Sequence, residues 1–166
     1  MYIRCNTYLM KKILFVCLGN ICRSAAAESV MKQLVDDAGL SDSFVIDSAG
    51  ILSKHKGETA DYRMKEHATR RGYTLTSLSR PVEYADFEIF DLIIGMDNTN
   101  VDDLCDRAPT LEAKRKISKM TDFCQVCDED YIPDPYYGGD AGFELVLDIL
   151  EDACRGLLLK IQTGKI

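Results

Sequence analysis

Cys17 and Arg23 stand six positions apart in the stretch ILFVCLGNICRSAAAES (13–29), where an apolar run gives way to small residues through CLGNICRS. A strand that feeds a short loop and then a helix makes an anion site, because loop amides and the first helical N–H groups converge on one spot with the helix dipole behind them. Phosphate is the natural occupant. The loop lacks the Lys-Ser or Lys-Thr pair of the Walker sequence, and its single Gly19 does not make a G-x-G-x-x-G, which argues against nucleotide binding. It holds a thiol instead. A free Cys with a pKa of about 8.5 drops to roughly 3.5–7.5 at a helix N-terminus or beside a cation, so Cys17 is expected to act as a thiolate nucleophile. Arg23 offers a planar fork for two phosphoryl oxygens and for the equatorial charge of a transition state, which a Lys point charge would serve less well. Ser24 could donate a hydrogen bond to the sulfur and ease its departure. The plain alternative is a buried strand-end cysteine beside an incidental surface arginine; C-x5-R arises by chance, and its place between strand and helix is what favours chemistry.

Those residues need elements to hold them. Lys12 to Val16 reads as a buried strand, and from Ser24 to Ala38 the residues Ala26, Val30, Leu34 and Ala38 recur every four positions beside Ala27, Met31 and Val35, which predicts a helix with one buried face. Ser24 is its expected cap, Glu28 adds negative charge near its first turn, and Gly39 ends it. Phe44 to Gly50 is a second strand, 51–58 an exposed loop, and 60–72 a helix stopped at Gly72. Phe90 to Asp97 is a third strand followed by a short helix from Asn100, and Arg115 to Met120 a fourth strand. A loop rich in Pro, Gly and Asp leads to a long amphipathic helix from Phe143 onward. This β-α-β-α-β-α-β-α order predicts a single doubly wound α/β domain, with a central, mostly parallel four-stranded sheet and helices on both faces. Ligands bind outside the carboxyl ends of such strands, where CLGNICRS lies.

Composition narrows the function classes. The 166 residues are 46% hydrophobic and carry a net charge of −7, which suits one globular domain and opposes a nucleic acid partner, whose phosphates demand Lys and Arg. No apolar run approaches the roughly 20 residues of a membrane span, and MYIRCNTYLM lacks the apolar core of a secretory signal, so a cytoplasmic protein with no membrane association is expected. Seven cysteines, an odd number, argue for reduced thiols over a disulfide framework. Cys5 is in the ragged start, and Cys105 and Cys154 fall in apolar helical patterns. Cys124 and Cys127 form one C-x-x-C without the two further ligands of a structural zinc site, and they follow no strand and open no helix of the thioredoxin type.

CLGNICRS and the later DPYYG resemble the signature loop and acid loop of the low-molecular-weight protein tyrosine phosphatases. The resemblance runs from Lys12 to Ile161 and includes DSAG (47–50), FDLIIGMDNTN (90–100) and DPYYGGDAGFE (134–144) in the family's order. It implies that Cys17 attacks phosphorus and that Asp134 protonates the leaving phenol and later activates water. Leu18, Gly19, Asn20, Ile21, Cys22 and Ser24 would complete the phosphate-binding loop with Cys17 and Arg23. Without the family, Asp134 reads as a turn residue before Pro135. A phenol pKa of about 10 makes its protonation worth on the order of 10²- to 10⁴-fold. The resemblance also implies that Asn20 holds the loop, with Ser48 as partner, that Asp97 is a buried acid bracing the site, and that Tyr136 and Tyr137 flank the substrate. Cys22 would form a reversible disulfide with Cys17. No metal or cofactor is required, since amides and Arg23 stabilise the charge.

The chain departs from the family's pattern at three places. Lys54 stands where an aromatic wall of the cleft is usual, and could attract an acidic flank of the substrate. Ser77 replaces a histidine that often supports the loop. Residues 1–11 look like an extension of a domain spanning 12–166, with Met10 as the expected true start. Rival readings are an arsenate reductase of the same fold, for which Cys105 lacks a second relay cysteine nearby, and a protein arginine phosphatase, whose loop has Thr in place of Ile21. A catalytically silent phosphate-binding module is the third. The expected partner is a phosphotyrosine-containing protein, a tyrosine kinase among the candidates.

Overall fold

The computed structural model describes residues 9–166, so that Cys5 and most of the expected N-terminal extension lie outside the described residues. Four strands, β1 (Lys11–Cys17), β2 (Phe44–Gly50), β3 (Leu92–Gly95) and β4 (Ile117–Lys119), form one sheet among these residues, in the order β2-β1-β3-β4. Every pairing is parallel, so the expected four-stranded α/β sheet is present and entirely parallel. The helices are α1 (Arg23–Asp37), α2 (Tyr62–Arg70), α3 (Asp86–Ile89), α4 (Asn98–Arg107), α5 (Leu111–Arg115) and α6 (Asp140–Gln162).

The central strand explains the layering. Side chains alternate across a strand, and in β1 Ile13 and Phe15 enter an apolar layer with α1 and α6, while Leu14 and Val16 enter another with Phe87 of α3, Leu104 of α4 and Ala113 of α5. All four β1 residues are fully buried, as a parallel strand covered on both faces must be. Burying a side chain such as Phe15 contributes about 1.5–3 kcal/mol. The chain passes from β1 to β2 on one side and later to β3 on the other, so the crevice where the order reverses opens at Cys17.

Several boundaries differ from the sequence reading. Helix α1 starts at Arg23 with Cys22 in the cap position and no side-chain cap; Ser24 lies inside the first turn and bonds elsewhere. Glu28 is buried and accepts from Ser48, rather than lending charge to the helix start. Gly39, at φ +70°, does end the segment. Strand β3 is shorter than 90–97 because Asp97 leaves the ladder to cap α4, accepting from Asn100 N at 2.8 Å. Strand β4 has only three residues, and α6 begins at Asp140, ahead of Phe143. Helix α2 is capped by Asp61.

Cys124 and Cys127 are joined by a disulfide, against the expectation of reduced thiols; the other described cysteines, Cys17, Cys22, Cys105 and Cys154, are free. The pair meets because the N–H groups of Gln125, Val126 and Cys127 all donate to Asp152 Oδ2 of α6, at 3.0, 3.1 and 3.0 Å, which curls the loop. Among the described residues no helix is long and apolar enough to cross a membrane.

The loop before Cys124 lies directly on α6: a Cβ at Gly156 would sit 1.8 Å from the Phe123 carbonyl oxygen. Gly156→Ala must therefore separate backbone from backbone, and is expected to lower unfolding stability by about 1–3 kcal/mol in a urea titration, the range of core overpacking. An unchanged midpoint would show that the helix and loop do not make this contact in solution.

Candidate active site

The segment from Cys17 to Arg23 turns the end of β1 into the start of α1, and its shape rests on Asn20. That residue adopts φ +57°, a left-handed conformation that Asn tolerates better than most. Its Nδ2 donates to Ser24 Oγ at 2.8 Å and to Ser48 Oγ at 2.9 Å, and its Oδ1 accepts from Arg80 N at 3.1 Å. Ser48 in turn donates to Glu28 Oε1 at 2.8 Å. The loop carbonyls also face the scaffold: Cys17 O accepts from Ile51 N, Leu18 O from Leu52 N, Gly19 O from Ser79 Oγ and Ile21 O from Asp61 N. Among the described residues, none of the N–H groups of Leu18 to Cys22 donates a hydrogen bond. Buried amides in native folds are almost always paired, so a run of free donors ahead of a helix marks an anion cradle.

Cys17 is buried at the base of this cradle, its Sγ 3.0 Å from Ser24 Oγ. Arg23 is only 3% exposed. Its Nη1 donates to Asp97 Oδ2 at 2.6 Å and to the Ile132 carbonyl at 3.0 Å, and its Nη2 lies 3.6 Å from Asp134 Oδ2. Burial works against the guanidinium's charge, but Cys17, Asp97 and Asp134 outweigh it and raise its pKa. Burial, with Asp61, Cys17 and Asp134 pushing the same way, also drives the Cys22 thiol up. Asp97 is half-buried rather than buried: it lies past the end of β3 beside the exposed Asn98 and Thr99, with Oδ1 on Asn100 N and Oδ2 on Arg23.

Asp134 caps a short 3-10 turn, Pro135–Tyr137, by accepting from Tyr136 N at 3.1 Å. The cleft above Cys17 is walled on one side by Leu52, Lys54 and His55, and on the other by Asp134, Tyr136 and Tyr137. Tyr136 and Tyr137 meet edge to face at 5.0 Å, with Tyr137 91% exposed. The structure thus brings Cys17, Arg23, Asp134 and the loop together, sets Ser48 and Asp97 behind them, and leaves Lys54 on the rim. Ser77 makes no bond to the loop; its support comes from Ser79 and Arg80, two and three positions later.

Other parts of the site escape sequence reasoning. Arg63 is clamped to Asp61 through Nε at 3.1 Å and Nη2 at 3.0 Å, and also donates from Nη2 to the Tyr136 carbonyl at 3.0 Å. Its guanidinium lies over the rings of Tyr136 and Phe143, at 5.4 and 5.0 Å. Since Asp61 N holds Ile21 O, the pair Asp61–Arg63 bridges the cysteine loop to the acid loop. Behind it, His67 Nδ1 lies 2.6 Å from Glu144 Oε1 and its ring stacks on Phe143, while Arg71 contacts Glu144 and Asp148. The available signal was the basic content of α2 facing the acidic start of α6. Among the described residues, the one cluster of three possible metal ligands is Cys124, Cys127 and Asp152, outside the cleft.

This geometry can be set beside known proteins. Residues 12–165 match the family model for low molecular weight phosphotyrosine protein phosphatase. The human protein of that name is 37% identical over 90% of this chain and 95% of its own. A low molecular weight protein-tyrosine-phosphatase of Streptomyces coelicolor is 38% identical over 91% of this chain and 93% of its own. A crystal structure of a protein tyrosine phosphatase from Entamoeba histolytica superposes with a TM-score of 0.92 at 51% identity, covering 94% of this chain and 99% of that one. With the family model matched over residues 12–165 and relatives and fold matched over nearly the full length, the chain belongs to the low molecular weight phosphotyrosine protein phosphatases, a family of enzymes.

Proposed function

We propose that the protein hydrolyses phosphotyrosine in other proteins through a phosphocysteine intermediate. The observation that carries this reading is the ring of free amides from Leu18 to Cys22 around Cys17, with Arg23 and Asp134 converging on it. The Cys17 thiolate attacks phosphorus as the bond to the phenolic oxygen breaks, and Asp134 gives that oxygen its proton. The Asp134 carboxylate then takes a proton from water, whose oxygen attacks phosphorus and releases phosphate, with Ser24 donating to the departing sulfur. The free amides and Arg23 hold the equatorial oxygens throughout. Leu52 and Tyr136 supply walls for an aromatic ring, and a deep thiol favours the long phosphotyrosine side chain over phosphoserine.

The finer parts of the reading follow from the same residues. Cys22, kept as a thiol by burial, would condense with a Cys17 sulfenic acid to give a disulfide and water, protecting the nucleophile from peroxide. Lys54 at the rim favours substrates with acidic residues beside the phosphotyrosine, tyrosine kinases among them. A reduced nucleophile suits the cytoplasm, and residues 12–166 would form the catalytic domain. No feature of the cleft favours arsenate or phosphoarginine.

The primary test is phosphate release from a phosphotyrosine peptide under reducing conditions. Wild type should turn over and Cys17→Ser should not; equal release by both would refute the thiolate mechanism. Asp134→Ala should slow phenyl phosphate hydrolysis about 10²- to 10⁴-fold and a substrate with a far better leaving group much less; equal losses would remove Asp134 as the acid. Arg63→Ala, by loosening the acid loop, should lower kcat about tenfold for poor leaving groups while vanadate inhibition stays unchanged. Uniform loss across leaving groups would mean that Arg63 serves folding alone.

A further inference from the structure

The C-x-x-C loop lies outside the cleft and plays no part in phosphoryl transfer. Cys124 and Cys127 are half-buried and packed against the core, while Gln125 and Val126 between them are exposed, so the loop that carries the sulfurs faces solvent. The loop is shaped by α6 rather than by the S–S bond. Asp152, 9% exposed, gathers three consecutive N–H groups on Oδ2; one turn later Gly156 admits the Phe123 carbonyl; one turn later again Lys160 Nζ lies 5.2 Å over the Phe123 ring. Residues four apart share a helix face, and this face of α6 is a cradle for residues 123–127.

From this we infer that Cys124 and Cys127 form a reversible thiol–disulfide site, held ready by Asp152. A ring of so few residues gains little from loop closure, so the bond adds little to chain stability. What the cradle provides is proximity: with the bond open, the two thiols remain neighbours, and closure is an intramolecular step. The Asp152 carboxylate lies within 4.8 Å of the sulfurs and disfavours a thiolate there. Strongly oxidising pairs owe their potential to a stabilised thiolate, so this pair rests as the disulfide and donates electrons when reduced. The oxidant is a low-molecular-weight disulfide of the glutathione class. One cysteine thiolate attacks its S–S bond, expelling one thiol and leaving a mixed disulfide; the second cysteine attacks that bond, expelling the second thiol. The protein loses two electrons and two protons to the two thiols formed, and a small dithiol reverses the reaction.

The test is to equilibrate the full chain in mixtures of reduced and oxidised glutathione, alkylate, and map peptides so that Cys17 and Cys22 are read separately. Cys124 and Cys127 should become protected together in one transition of the folded protein. Cys124→Ser should trap glutathione on Cys127. Asp152→Asn, which keeps an acceptor oxygen for the loop, should shift the transition about tenfold toward the dithiol. Cysteines that alkylate in every mixture, a bond that survives excess dithiol in the folded protein, or an Asp152→Asn variant with no shift would each overturn the assignment.

Discussion

The buried charge of Arg23 governs how the molecule is laid out around the end of β1. An unpaired guanidinium out of water costs several kcal/mol, and three elements converge to hold this one. Asp97 comes from the end of β3, the Ile132 carbonyl from the segment after β4, and Asp134 from the acid loop. Asp97 also caps α4, so the residue that neutralises Arg23 also starts a helix. The three contacts are unequal. Nη1 is saturated by Asp97 and Ile132, whereas Nη2 meets Asp134 only at 3.6 Å, beyond hydrogen-bond range, and is the arm that would donate to a phosphoryl oxygen in the proposed reaction.

With Arg23 anchored, the loop before it must keep its amides turned inward. A residue in the left-handed region costs on the order of 1–3 kcal/mol. Asn20 offsets this with three side-chain hydrogen bonds, each worth about 0.5–1.5 kcal/mol net, to Ser24, Ser48 and the Arg80 amide. Alanine in its place would keep the strain and lose all three. The scaffold meanwhile consumes the carbonyls of Cys17, Leu18, Gly19 and Ile21, so an incoming anion finds donors already arranged. Such preorganisation is what stabilises a transition state without reorganising the site.

Sequence patterns made the site more legible than its supports. Strands β1 and β2 and helices α1 and α6 could be read because they are long enough for periodicity to show; β4 could be placed but not bounded, since only Ile117–Lys119 of 115–120 pair, and α3 and α5 are too short to show a period at all. Cys17, Asn20, Arg23 and Asp134 belong to contiguous motifs whose residue types suit one chemistry. Arg63 could not be read in the same way, because its partner Tyr136 lies 73 positions away and nothing local in DYR announces it. Glu28 sits one turn into a helix and looks like a surface charge until Ser48 is known to lie against it. The C-x-x-C was misjudged for a related reason: the residue that shapes it, Asp152, is 25 positions beyond Cys127 on a helix that otherwise reads as simple packing.

The two halves of the cleft are held by different physics. The cysteine loop rests on buried hydrogen bonds that salt does not screen. The acid loop rests on Arg63, with His67 and Arg71 behind it gripping Glu144, and these contacts lie nearer solvent, where each is worth little alone. That asymmetry fits the demands on each half. In the proposed reaction the donors around phosphorus must stay fixed between substrate and transition state, while the acid loop must admit a protein-borne side chain and release phosphate. Several modest contacts between α2 and α6 position Asp134, and losing any one of them costs less than breaking a single strong buried pair such as Arg23–Asp97, which would leave a charge unpaired out of water.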